Sequence, residues 1–175
     1  MLSIIRVDTA ELELAERAVR WDVFVCEQNV PFVLEIDARD LRPDVEHFVA
    51  IDPARPDYAL GCVRLIPDGA RSPDGTSNGS TAPSTHPRAH YHLGRLAVRQ
   101  EARGTGLGAA LVNTIHEWVA HATPSGSEAV VILDAQLQAQ GFYEKCGYRA
   151  TERETFLDAG IWHREMSTVI AGRGD

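Results

Sequence analysis

Arg103-Gly104-Thr105-Gly106-Leu107-Gly108, entered from the run Leu93-Gly94-Arg95-Leu96-Ala97-Val98, is the stretch on which the fold turns. Tyr91 to Val98 is expected as a strand. Leu107, Leu111, Ile115 and Val119 then recur at four-residue steps, so Gly106 to about Ala122 is expected as a helix with one apolar stripe. A glycine-rich turn between strand and helix lets backbone amides approach an anion, because no Cβ stands in the way. The helix start adds unpaired N–H groups and a positive dipole end. Arg103 adds a full positive charge. No Gly-Lys-Ser/Thr follows, as a P-loop requires, and the glycine spacing lacks the offset of a dinucleotide-binding fingerprint. A flexible turn with close helix packing is the plain alternative for these glycines.

Outward from this stretch, Leu2 to Val7 reads as a first strand. Asp8 with Glu11 suggests a capped helix running to about Glu27, with Leu12, Ala15, Val19 and Val23 on one face. Residues 28–45 read as irregular and acidic, broken by Pro31 and Pro43. His47 to Ile51 and Tyr58 to Ile66 suggest a hairpin across Pro53-Ala54-Arg55-Pro56-Asp57. Ala129-Val130-Val131-Ile132-Leu133 suits a fully buried strand. Gln136 to Cys146 is expected as a short helix ended by Gly147, and Tyr148–Phe156 with Ile161–Ile170 as a last hairpin. Between residues 67 and 87, fifteen of 21 residues are Gly, Pro, Ser, Thr or Asn, and none is large and apolar. Such a segment buries too little to offset its ordering entropy, so a mobile surface insertion at about 67–90 is expected within a single domain spanning 1–175.

The chain of 175 residues carries 17 basic and 25 acidic side chains, a formal charge of −8. That balance argues against a nucleic-acid binder, which needs a basic surface. Cys26, Cys62 and Cys146 lack metal or disulfide spacing, so reduced thiols in a cytoplasmic protein are expected. No apolar stretch has the length of a membrane span, and no leader pattern opens the sequence.

Arg103-x-x-Gly106-x-Gly108 resembles the Q/R-x-x-G-x-G/A motif of the GNAT N-acetyltransferases. About 30 residues on, Ala139-Gln140-Gly141-Phe142-Tyr143-Glu144-Lys145-Cys146-Gly147-Tyr148 resembles the same family's A-x-x-F-Y-x-x-x-G-F/Y segment. Val23-Phe24-Val25-Cys26-Glu27-Gln28-Asn29, then Asp37, Asp40 and His47, is similar to the ElaA-like branch. Gln136, where many members have Asn, and the hairpin end Phe156 to Met166 agree with that branch too. The resemblance implies a single-domain α/β fold with a mixed central sheet of about 6–7 strands flanked by helices. It also implies a V-shaped splay between the central strands. Acetyl-CoA would lie in that splay as co-substrate, with no metal.

The same resemblance distributes the roles. Backbone groups near Leu96, Ala97 and Val98 would meet the pantetheine arm and the oxyanion, and Arg103, Gly104, Thr105, Gly106, Leu107 and Gly108 would hold the pyrophosphate. Gln136 would lie on the cofactor side. Tyr143 would protonate the leaving thiolate; a packed aromatic with a surface hydroxyl is the alternative. His92, four residues before Leu96, stands where several members place a base, and imidazole suits neutral pH. It also ends a histidine-rich run and could simply be exposed. Glu27, Gln28, Asp37, Asp40 and His47 are the substrate-side candidates, since carboxylates beside a cleft attract an ammonium group. Caps and salt bridges in an acidic loop are the other reading.

The expected acceptor is a small-molecule amine or amino group, with neither nucleic acid nor membrane as partner. Oligomeric state is left open, a homodimer being one option. Arg20…Phe24 and Glu35-x-Asp37-x-x-Asp40 are also similar to the pattern of acyl-homoserine-lactone synthases, which share the fold but lack the glycine loop. A non-catalytic acyl-CoA-binding module is the remaining alternative.

Overall fold

In the computed structural model, which describes residues 2–68 and 88–174, one mixed sheet holds eight strands. They are β1 (Ser3–Arg6), β2 (Glu46–Asp52), β3 (Arg55–Pro67), β4 (Ala89–Val98), β5 (Glu128–Gln136), β6 (Arg149–Ala150), β7 (Phe156–Asp158) and β8 (Ile161–Ala171). The order is β1-β2-β3-β4-β5-β8-β6, with β7 also on β8. The extra strand beyond the six or seven expected comes from the last hairpin. There β6 and β7 are separate short pairings of one segment against β8, at Arg149↔Ser167 and at Phe156↔His163.

The alternation of β2 and β3 assigns the two faces. Phe48, Ala50, Val63 and Leu65 pack with Leu111, Ile115 and Val119 of α3 (Leu107–Ala122). Val49, Ile51 and Cys62 pack with Ala15, Val19 and Val23 on and just beyond α1 (Ala10–Arg20). Two cores therefore lie on opposite faces, as the period of two requires. Leu111, Ile115 and Val119 are fully buried, worth about 1.5–3 kcal/mol each in apolar transfer.

The first helix differs from expectation at both ends. Its cap is Thr9, whose Oγ1 accepts from Leu12 N at 3.3 Å, one residue after Asp8. α1 stops at Arg20, and Trp21–Glu27 continues as a π-helical turn, in which Gln28 N donates to Val23 O at 3.2 Å. The stretch read as irregular holds a single turn, α2 (Phe32–Glu35), and a 3₁₀ turn at Ala38–Leu41. The fourth helix, α4 (Gln140–Lys145), ends before Gly147 at φ +91°.

The sheet divides in its middle. β4 and β5 run parallel and pair only from Ala89↔Ala129 to His92↔Ile132. Beyond that point β4 stays with β3, and β5 stays with β8 as far as Gln136↔His163. A V therefore opens between Leu93–Val98 and Leu133–Gln136. Residues 69–87, which hold most of the expected insertion, lie outside the described residues. Their flanks meet: Asp68 N donates to His90 O at 2.7 Å.

Candidate active site

The V is shaped by a bulge in β4. Cys62 pairs with Ala97 but Arg64 pairs with Gly94, so Arg95 and Leu96 together oppose Val63. Arg95 sits at φ +53°, a left-handed conformation uncommon for a side-chain-bearing residue. The extra residue inverts the alternation: Leu93 belongs to the α3 core and Ala97 to the α1 core, although they are four apart. It also sets the hydrogen-bonding phase. Arg99 N donates to Leu60 O and Asp68 N to His90 O. Counting in from both bonds, Ala97 turns its backbone groups toward β3 and Leu96 and Val98 turn theirs toward the open V, while the Arg95 carbonyl accepts from Cys62 Sγ at 3.4 Å. Of the expected backbone contacts, Leu96 and Val98 thus face the cleft and Ala97 is engaged in the ladder.

At the mouth of the V, Gly104 and Gly106 adopt φ +77° and +88°. Glycine takes these angles without the Cβ penalty. A Cβ built on either meets nothing within 4 Å, so open space lies before the loop. The first helical bond of α3 is Ala110 N to Gly106 O, at 3.0 Å. The preceding amides are the unpaired N–H groups of a helix start, in a loop that also carries Arg103. These residues fit a diphosphate. Gly108 also lines the cleft and meets a second need, since an added Cβ would lie 3.3 Å from Phe142 Cζ. Its bareness lets α4 approach α3. Thr105 Oγ1 donates to Ala102 O at 2.7 Å and does not line the cleft. Arg103 bends back over the mouth: Nε donates to Val98 O at 2.9 Å and Nη2 to Glu27 at 2.6 Å.

The cleft has a volume of about 930 Å³ and runs from this loop to the fork of the V. Tyr143 reaches it from α4, wedged edge-on between Phe142 and Tyr148. Burial, with a smaller contribution from Cys146, holds its phenol well above the ordinary tyrosine range. It keeps its proton at neutral pH. His92 stands at the last β4–β5 pair, with Nε2 3.5 Å from Asp134 Oδ2. Burial acts to raise the Asp134 pKa, but the hydrogen bond to His92 and the charges of His92, Arg153 and His163 hold it below the usual carboxylate value. A half-exposed imidazole and an ionised partner thus sit at the closed end of the cleft.

The acceptor-side candidates divide. Glu27 and Gln28 line the cleft, and Gln28 Oε1 accepts from Gln136 Nε2 at 2.8 Å. Asp37, Asp40 and His47 do not line it. They belong to an ion-pair network beneath it. Arg64 Nη1 holds Asp37 at 2.8 Å and Asp40 at 2.6 Å. Arg20 holds Glu35 and, at 2.8 Å, Asp40. Glu16 Oε1 lies 2.9 Å from His47 Nδ1 and accepts from it in the tautomer that carries the proton there. Burial of these carboxylates is offset by their arginine partners, and both Asp37 and Asp40 are held below the usual range. The salt-bridge reading of the acidic loop is thus the one these three residues follow.

Sequence reasoning missed Arg95, Asp134, Arg39 and His163, all of which line the cleft. Two had visible signals: Arg95 is the one charge in the run Leu93–Val98, and Asp134 ends the apolar run at 129–133. Among the described residues, no group of three or more His, Cys, Asp or Glu side chains could hold a metal ion. No described helix is long and apolar enough to cross a membrane.

The family model described as an acetyltransferase (GNAT) domain matches residues 76–170. The uncharacterized N-acetyltransferase YjcF of Bacillus subtilis (strain 168) is 36% identical over 148 residues, covering 85% of this chain and 86% of its own. The crystal structure of an acyl-CoA N-acyltransferase from Pseudomonas aeruginosa superposes with a TM-score of 0.71 at 26% identity, covering 95% of this chain and 99% of its own. Escherichia coli ElaA superposes equally well, with a TM-score of 0.71 at 24% identity and the same coverage. With a splayed sheet, a glycine loop at its mouth and these relatives, the chain belongs to the GNAT acetyltransferase family.

Proposed function

We propose that this protein transfers the acetyl group of acetyl-CoA directly to a primary amine, within a ternary complex. The single observation that carries this reading is the convergence on one cleft of the bulged β4 edge, the Arg103–Gly108 loop and the half-buried Tyr143. Acetyl-CoA supplies an activated thioester. The loop amides and Arg103 hold the pyrophosphate, which requires Arg103 to exchange Glu27 for phosphate oxygens. The free amide at Leu96 faces the acyl oxygen and stabilises the negative charge that develops there. His92, steadied by Asp134, removes the proton of the attacking amine. As the N–C bond forms and the C–S bond breaks, Tyr143 delivers its proton to sulfur. No covalent nucleophile is needed, because holding amine and thioester together supplies much of the rate. Cys26, Cys62 and Cys146 are free thiols, which supports placing the enzyme in the reducing cytoplasm.

The test is a screen of acetyl-CoA against an amine library, reading thiol release, beside a calorimetric CoA titration. Micromolar CoA binding with turnover of at least one amine is expected. Binding without turnover across the library would instead make the protein a non-catalytic CoA-binding module.

A further inference from the structure

A second cavity, of about 260 Å³, adjoins the cleft on the α1–α2 side of the sheet. Gln28, Gln136 and His163 belong to both, as do Arg39, Arg95 and Asp158, so the two spaces communicate. The walls come from the turn after α1, from α2, and from the β7–β8 hairpin. The volume is below the roughly 300–1,000 Å³ of drug-sized sites and suits a group the size of an amino acid. Val30, Leu34 and Ile161 give it an apolar side, and Arg39 and Arg95, with Glu35 beside Arg95, give it a charged one.

Arg95 is the informative wall. The bulge turns its side chain toward α2, where Nη2 reaches Leu34 O at only 3.4 Å. Its Nε lies 3.2 Å from Glu35 Oε2 but is buried without an aligned hydrogen bond. Glu35 is shared, because its other oxygen is held by Arg20. Asp37 Oδ2 lies 3.8 Å from Nη2, so the carboxylates near Arg95 are both shared with other arginines, and desolvation, then repulsion from Arg64, lower its pKa despite them. Arg39 is half exposed and engages Asp37 through Nε and Nη2. Among the described residues, none accepts a hydrogen bond from its Nη1. A guanidinium with unmatched donors beside a cavity is a fork for an oxyanion. Asp158 stands on the opposite rim, where it can attract an ammonium group.

We propose that this cavity selects acceptors that carry a carboxylate or phosphate beside the reacting amine, with Arg95 and Arg39 reading the anion. The inference rests on the acyltransfer reading above and names its substrate class. The amine then points back past Gln136 and His163 toward His92, and the apolar wall accommodates a short side chain. An amine lacking the anion forgoes the charge-assisted hydrogen bonds from Arg39 and Arg95 and binds less tightly for that reason.

Matched acceptors decide the matter. Free L-amino acids are compared with their primary amides, and phosphoethanolamine with ethanolamine, by kcat/KM in thiol release at fixed acetyl-CoA. At least one anionic member is expected to exceed its neutral partner by tenfold or more, and the favoured pair identifies carboxylate or phosphate as the source. Arg39→Gln, at an exposed position, should lower that ratio at least fivefold while calorimetric CoA affinity stays within twofold. Neutral partners turned over as well as or better than anionic ones would overturn the inference and leave acyl transfer standing. So would an Arg39→Gln protein with an unchanged ratio. CoA binding with no turnover of either set or of the wider library would overturn the acyltransfer reading itself.

Discussion

Tyr143 and His92 reach the cleft by different routes, and their chemistry separates them. Tyr143 is held by aromatic neighbours, so Tyr143→Phe keeps the packing and removes only the proton. The chemical step is expected to slow by about 10²-fold, with CoA affinity nearly unchanged. Full activity in single-turnover kinetics would remove Tyr143 as the acid. Because burial pushes the phenol above its ordinary value, its deprotonation lies above the usual working range. An alkaline limb near pH 10 should therefore be absent from the wild type as well as the variant. His92→Gln should lower kcat by about 10²-fold at neutral pH, with recovery as pH rises and the acceptor amine loses its proton unaided. A uniform loss at every pH would assign His92 to positioning alone. Gly108 shows how a motif residue can carry two readings at once. It matches the phosphate pattern by sequence, yet its missing Cβ is needed by Phe142. Only the packing of α4 on α3, a long-range fact, separates these uses.

Elements were legible where periodicity was local. The apolar stripe of α3 and the apolar run of β5 appear within a few residues of their expected places, but β5 alternates buried and half-buried positions instead of being buried on both faces. The π-helical turn after Arg20 was not legible, since an i+5 bond leaves no compositional signature. Salt bridges in the acidic loop were one reading of the sequence, but their partners Arg20 and Arg64 were not legible, because the members of the network come from separate elements and turns. In that network Arg64 is 3% exposed and holds Asp37 and Asp40 together. Arg64→Met would take one partner from each carboxylate, leaving Asp40 with Arg20 and Asp37 with Arg39, and a loss of about 1–3 kcal/mol in urea denaturation is expected. A loss below 1 kcal/mol would mean the carboxylates find other partners. The same network sets an acid limb. Asp37 and Asp40 titrate lower in the folded state than in the unfolded chain, where the carboxylate value is about 3.9. Their stabilisation is therefore complete above that value and is lost as pH falls below it. Asp37→Asn should flatten stability between about pH 5 and pH 2 relative to wild type.

At the scale of the whole molecule, the division of the sheet is what joins the loop to the chemistry. The order of strands and helices was readable from the sequence, and the glycine loop marked one end of the cleft. The bulge at Arg95–Leu96 was not readable, because it is a mismatch between β3 and β4 that neither strand records alone. Both halves of the V line one cleft, so a ligand lying along it binds the folded chain and not the unfolded one. At a CoA concentration 100 times Kd, the stabilisation is about 2.7 kcal/mol. For a chain of this size that corresponds to a rise in Tm of roughly 5–10 °C. Gly106→Val should lose this rise, because the new side chain enters the open space before the helix start. The substitution also strains the backbone at φ +88°, at a cost of about 1–2 kcal/mol. Strain alone would lower Tm without touching the ligand, so a matched control is needed. Gly126 has φ +80°, likewise has nothing within 4 Å of an added Cβ, and does not line the cleft. Gly126→Val should therefore lower the starting Tm by a similar amount and keep the full CoA shift. Equal shifts in both variants would show that the loop does not hold the pyrophosphate. Loss of the shift in both would show that strain anywhere abolishes binding. Loss in Gly106→Val alone locates the anion before the first turn of α3.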